Sequence, residues 1–70
     1  MTSVVSITVN GDSRSVPSGS SVADLLNDLE INNRYCAVER NQELVPRETH
    51  ADCFLDQGDR IEIVTLVGGG

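Results

Sequence analysis

The sequence predicts an α+β domain, a mixed sheet of four to five strands with one main helix laid across one face. Three observations predict it. Val5, Ile7 and Val9 alternate with Ser6 and Thr8 and run into Asn10-Gly11, the pattern of a half-buried strand entering a hairpin turn. Val22, Leu25, Leu26 and Leu29 are spaced i, i+3, i+4 and i+7, one apolar stripe of a helix about ten residues long. Ile61 and Ile63 lie on one face of the last strand, with Val64 and Leu66 on the other. A strand apolar on both faces is either central in its sheet or covered outside by a partner.

The elements follow in order. Ser13 to Val16 returns beside the first strand as a weaker second one. Pro17 to Ser21 turns the chain, and Ser20 or Ser21 supplies the helix N-cap oxygen. Asp24 falls in the first turn, where the helix dipole favours a carboxylate. Asn32-Asn33 is the expected stop, because asparagine tolerates left-handed backbone angles. Tyr35 to Glu39 reads as a third strand with Cys36 and Val38 on one face. Arg40-Asn41-Gln42 turns into a short strand, Glu43 to Val45, which Pro46 ends. Arg47 to Asp52 reads as one polar helical turn, and Cys53-Phe54-Leu55 as a short apolar strand. Asp56-Gln57-Gly58-Asp59 is a tight turn before the last strand, Arg60 to Val67. The path from the second strand through the helix to the third is a crossover, so the first and last strands can run parallel in mid-sheet. This order is that of a β-grasp over residues 1–67, with a flexible glycine tail at 68–70.

Size and charge then limit the chemistry. A chain of 70 residues hides only about 60% of its unfolded surface. It has no room for an internal pocket of roughly 300 Å3 or more, so an autonomous enzyme is disfavoured. Net charge is −6, with five arginines and no lysine. That argues against a phosphate-binding nucleic-acid surface and an anionic membrane surface; it suits a partner with a basic docking face or serves only to keep a small protein soluble. No stretch reaches the ~20 apolar residues of a membrane span. Met1 to Val9 lacks the charged start and apolar run of a secretion signal. The expected location is the cytoplasm, with Cys36 and Cys53 as reduced thiols. Two cysteines 17 residues apart and a single histidine give no metal-site spacing.

Gly68-Gly69-Gly70 is the feature that points to chemistry. Glycine packs nothing and loses the most entropy on ordering, so fold stability does not ask for three in a row. A frayed end would explain them too. Yet they continue an apolar strand, they are slim enough for a narrow channel, and they carry a carboxylate with no neighbouring side chain to hinder attack. A carboxylate is a poor electrophile and needs activation by ATP. No Gly-rich phosphate cradle followed by lysine is present, so another protein must do the activating.

The chain resembles the ThiS sulfur-carrier family over nearly its full length. The resemblance runs through Asn10-Gly11, Val22-Ala23-Asp24-Leu25-Leu26, Val38-Glu39-Arg40-Asn41 and Leu44-Val45-Pro46-Arg47-Glu48. It continues through Gly58-Asp59-Arg60-Ile61-Glu62-Ile63-Val64 and the ending Val67-Gly68-Gly69-Gly70. It implies a ubiquitin-like β-grasp that is not itself an enzyme and binds no cofactor. An E1-like adenylating enzyme of the ThiF type would use ATP and Mg2+ to adenylate Gly70. A cysteine desulfurase or related persulfide donor would supply sulfur to make the thiocarboxylate. A thiazole synthase of the ThiG type would take that sulfur into the thiazole of thiamin. Gly68 and Gly69 would thread the partner active sites. Relatives that serve molybdopterin or cysteine synthesis remain alternatives, as do a ubiquitin-like modifier and a passive interaction module.

The remaining residues are assigned more plainly. Val64, Leu66, Val67 and Phe54 are candidates for partner docking, against the alternative that loops cover them. Cys36 and Cys53 are expected in the core rather than as sulfur carriers. His50 is expected on the surface of a turn. Arg40 and Arg47 are expected to pair with carboxylates inside the fold. Asp56 and Asp59 are expected as turn formers.

Overall fold

The computed structural model describes residues 3–66. Its elements are β1 (Val4–Val9), β2 (Asp12–Pro17), α1 (Val22–Asp28), β3 (Cys36–Arg40), β4 (Glu43–Val45) and β5 (Arg60–Thr65). Two 3-10 turns, Asn33–Tyr35 and Arg47–Asp52, lie between them. The five strands form one sheet in the order β2-β1-β5-β3-β4. β5 runs parallel to β1 and antiparallel to β3. The chain is therefore a β-grasp with the last strand at its centre, one of the two placements its apolar faces allow.

The helix packs its stripe on one face of this sheet. Val22, Leu25 and Leu26 are buried against Ile7, Val38, Ile61 and Ile63. Burying a leucine of this kind contributes about 1.5–3 kcal/mol. Ser21 caps the helix with a reciprocal pair: its hydroxyl accepts from the Asp24 N–H at 3.1 Å, and the Asp24 carboxylate accepts from the Ser21 N–H at 2.9 Å. The exit differs from the sequence expectation. The helix stops at Asp28, seven residues long, rather than at Asn32-Asn33. Glu30 takes the left-handed backbone at φ +60. The Ile31 N–H then bonds the Leu26 carbonyl, and the Glu30 N–H bonds that of Asn27. This is a Schellman ending, and Ile31 packs against the core beside it. Asn32 instead caps the following 3-10 turn, its side chain accepting from the Arg34 N–H.

Three further expectations change. Tyr35 belongs to the 3-10 turn and β3 begins at Cys36. Cys53-Phe54-Leu55 is no strand; it makes a single bridge, Ser21 to Phe54, because the segment crosses the helix N-terminus instead of joining the sheet edge. His50 is buried, with 2% of its surface exposed. Its Nε2 donates to the Val45 carbonyl at 3.1 Å, while Nδ1 has no partner. The 3-10 turn packs against α1 and turns its third-residue period inward at His50. Polar composition hides that period from a reading of the sequence.

Candidate functional site

β5 positions everything that bears on the site. It is gripped from both sides by asparagines that stand in turns. At the β1–β2 turn the Asn10 carboxamide donates to the Ile63 carbonyl at 3.1 Å and accepts from the Ile63 N–H at 2.7 Å. At the β3–β4 turn the Asn41 carboxamide accepts from the Arg60 N–H at 2.9 Å and donates to Asp59 at 3.1 Å. Each amide acts as one extra rung of the sheet and fixes the strand's direction.

The start of β5 rests on a buried carboxylate. Asp59 is 5% exposed and accepts from Arg40 Nε at 2.9 Å and from the Asp56 N–H at 2.8 Å, besides Asn41. Arg40 also reaches Asp56 at 3.0 Å. Burial alone would raise the Asp59 carboxyl. The Asp56 N–H, the Asn41 amide and the Arg40 guanidinium outweigh it and hold the carboxyl below its ordinary range. Asp56 and Asp59 do close a turn, with the Asp59 N–H bonding the Asp56 carbonyl. Asp59 goes further and joins that turn to β3. Arg40 thus pairs inside the fold, whereas Arg47 forms no ion pair among the described residues. Cys36 is buried and its thiol is pushed up by that burial. Cys53 is half-buried, 3.7 Å from Arg40 Nη1.

Beyond β5 the ladder continues by one more bond, from the Leu66 N–H to the Tyr35 carbonyl at 2.6 Å. Val67, Gly68, Gly69 and Gly70 lie outside the described residues. Of the docking candidates, Val64 and Leu66 are exposed, at 60% and 53%. Val64 stands on the face of the sheet away from the helix, since its strand neighbour Ile63 is buried beneath α1. Phe54 is exposed as well but stands in the helix layer, its backbone bridging Ser21. The structure therefore brings Val64 and Leu66 together along one strand and sets Phe54 in another layer.

Tyr35 is a member of this surface that the sequence reading did not name. It is exposed and sits opposite Leu66 through their backbone bond. The alternation of Tyr35 and Ala37 with the buried Cys36 and Val38 carried the signal. What the sequence did not show was that this face lies beside β5. Among the described residues no cluster of His, Cys, Asp and Glu could hold a metal ion. No helix there is long and apolar enough to cross a membrane.

This geometry offers an apolar surface at the end of a central strand whose continuation is Gly68-Gly69-Gly70. Comparison with known proteins gives it a context. The ThiS family model matches residues 7–70. The sulfur carrier protein ThiS of Bacillus subtilis (strain 168) is 41% identical over 49 residues, covering 70% of this chain and 74% of that protein. A thiazole synthase of Paramagnetospirillum magneticum is 39% identical over 64 residues. The match covers 91% of this chain but spans only 20% of that synthase. The crystal structure of the thiamine biosynthesis protein ThiS from Geobacter metallireducens superposes with a TM-score of 0.80 at 32% identity. It covers 94% of this chain and all of the other.

Proposed function

The chain belongs to the ThiS family, and from that premise we propose that it is the sulfur carrier of thiamin thiazole formation, with its cargo on the carboxylate of Gly70. The observation that carries this reading is that the family match runs through residue 70 and so includes all three glycines. The fold supports it by holding β5 rigid on both sides, so that the reactive end is carried on a fixed strand.

The chemistry is shared with partners. An adenylating enzyme of the ThiF type binds ATP and Mg2+; the Gly70 carboxylate attacks the α-phosphate and pyrophosphate leaves. The terminal sulfur of a persulfide, supplied by a cysteine desulfurase or a similar donor, attacks the acyl carbon and releases AMP. A thiol then reduces the acyl disulfide to the thiocarboxylate. A thiazole synthase consumes that sulfur. The carrier contributes reach: without side chains, Gly68 and Gly69 let the backbone pass a channel that a Cβ would block. It is a co-substrate in these steps, not a catalyst, and needs no cofactor of its own. The reading places it in the cytoplasm, where Cys36 and Cys53, both free of disulfides, stay reduced.

Intact mass after incubation with the adenylating enzyme, ATP, Mg2+, a persulfide donor and a thiol reductant tests the reading. The expected gain equals one oxygen replaced by sulfur. Deleting Gly70 is expected to abolish the gain while the unfolding transition stays where it was. A truncated chain that still accepts sulfur would refute the assignment.

A further inference from the structure

Asn10-Gly11 serves the fold twice. It is the turn between β1 and β2, and the Asn10 carboxamide is the rung that holds Ile63, 53 residues further along the chain. The same pair is chemically labile. Asparagine is among the thermolabile residues. Its side-chain carbonyl carbon is most open to attack by the backbone nitrogen of a following glycine, which has no Cβ to obstruct the approach. Of the five asparagines, Asn10 alone precedes glycine; Asn27, Asn32, Asn33 and Asn41 precede Asp28, Asn33, Arg34 and Gln42. Asn10 and Gly11 are both exposed, and a Cβ built on Gly11 would meet nothing within 4 Å. The Gly11 N–H makes no hydrogen bond among the described residues. The nucleophile is therefore unengaged and open to water, and only the hold of Ile63 on the carboxamide stands in its way.

We propose that Asn10 is a site of spontaneous deamidation that the fold masks, and that the modification, once made, unlocks β5 at Ile63. The Gly11 nitrogen loses its proton and attacks the Asn10 side-chain carbonyl carbon. The new C–N bond closes a succinimide, and ammonia leaves. Water then opens the ring at either carbonyl, to aspartate or isoaspartate. One water enters and one ammonia departs, with nothing oxidised or reduced. While β5 is seated, the carboxamide is fixed at both ends: Oδ1 accepts from the Ile63 N–H at 2.7 Å and Nδ2 donates to the Ile63 carbonyl at 3.1 Å. Attack needs the carboxamide to swing off Ile63 toward Gly11, so both bonds must open first. Two such bonds slow the reaction about thirtyfold relative to the unfolded chain. The product cannot close the rung again. A carboxylate only accepts, so the oxygen that replaces Nδ2 stands against the Ile63 carbonyl, acceptor to acceptor. The new charge also lies two residues from Asp12. Isoaspartate further lengthens the backbone within a two-residue turn. Each opening of the strand thus exposes Asn10 to reaction, and each reacted chain stays unlocked. The consequence does not depend on what Gly70 carries.

Mass spectrometry of the full chain tests this, after incubation in mildly alkaline buffer with and without urea, with a digest to locate each replacement of NH2 by OH. Asn10 is expected to react ahead of the other four asparagines in both conditions. It is expected to react about thirtyfold more slowly in the folded chain. Amide hydrogen exchange reads the consequence, on Asn10→Asp and on the deamidated chain separated by its extra charge. The Ile63 N–H is expected to exchange about tenfold faster than in the original chain. The Leu29 N–H, bonded to the Leu25 carbonyl at the end of α1, is expected to keep its rate. If Asn10→Asp fails to fold, the deamidated chain, folded before it was modified, supplies the reading. The proposal is overturned if another asparagine reacts first, or if folded and unfolded chains react equally fast. It is also overturned if the Ile63 amide exchanges no faster after the modification, or if the Ile63 and Leu29 amides speed up alike.

Discussion

Two turns flank the last strand, alike in backbone and different in chemistry. Asn10-Gly11 joins β1 to β2, and Asn41-Gln42 joins β3 to β4; each is a two-residue loop by register. All four residues have positive φ: 50 and 87 in the first turn, 52 and 72 in the second. That is the geometry whose twist matches the flanking strands. The first turn puts glycine at its second position and the second puts glutamine there. The asparagines also differ. Both amide bonds of Asn10 end on the backbone of Ile63, whereas Asn41 shares its grip with the carboxylate of Asp59. The strand is therefore held in its later half by neutral groups indifferent to pH, and at its start through a group that titrates.

Breaking the titrating side has the largest expected effect. Asp59→Ala removes the acceptor of Arg40, Asn41 and the Asp56 N–H together and is expected to cost about 3 kcal/mol in urea unfolding. Breaking the neutral side costs less. Asn10→Ala loses two bonds to Ile63 and places a Cβ-bearing residue without a polar side chain in the left-handed region, for about 2 kcal/mol by the same measurement.

The pH profile sharpens the contrast. The Asp59 carboxyl is held below its ordinary range in the folded chain, so the folded state binds fewer protons than the unfolded one. Its contribution is complete above the unfolded value near about pH 4, and it is lost as pH falls through the lower folded value. Unfolding free energy measured from pH 6 downward is expected to show that loss in the original chain and in Asn10→Ala. The loss should shrink in Asp59→Asn. The smallest effect has the opposite sign. Gln42→Gly relieves a side chain held at φ 72 and is expected to raise stability by about 0.5 kcal/mol, net of the freedom glycine adds to the unfolded chain.

The two turns also show where sequence reading succeeds. Asn10-Gly11 declares its geometry, because glycine is the residue such a turn favours. Asn41-Gln42 is legible as a turn, but its left-handed glutamine is not, since the strands on either side impose it. The helix start is readable to within Ser20 or Ser21, and the structure selects Ser21 as the cap. The helix end is not, because Glu30 enters the left-handed region to let Ile31 reach the core. For the site, Val64 and Leu66 stand out as apolar residues on the second face of their strand. Tyr35 stays hidden as a member of that surface until β3 is known to lie beside β5.

By itself the sequence determined what is periodic or local: the first hairpin, the apolar stripe of the helix, the two-faced last strand and the three glycines that follow it. Those depend on neighbours a few residues apart. Only the tertiary structure decided that His50 is buried, that Phe54 stands in a different layer from Val64, and that Asp59 ties a turn to β3. Each depends on residues distant in the chain, and no pattern of local spacing encodes which of them packing will bring together.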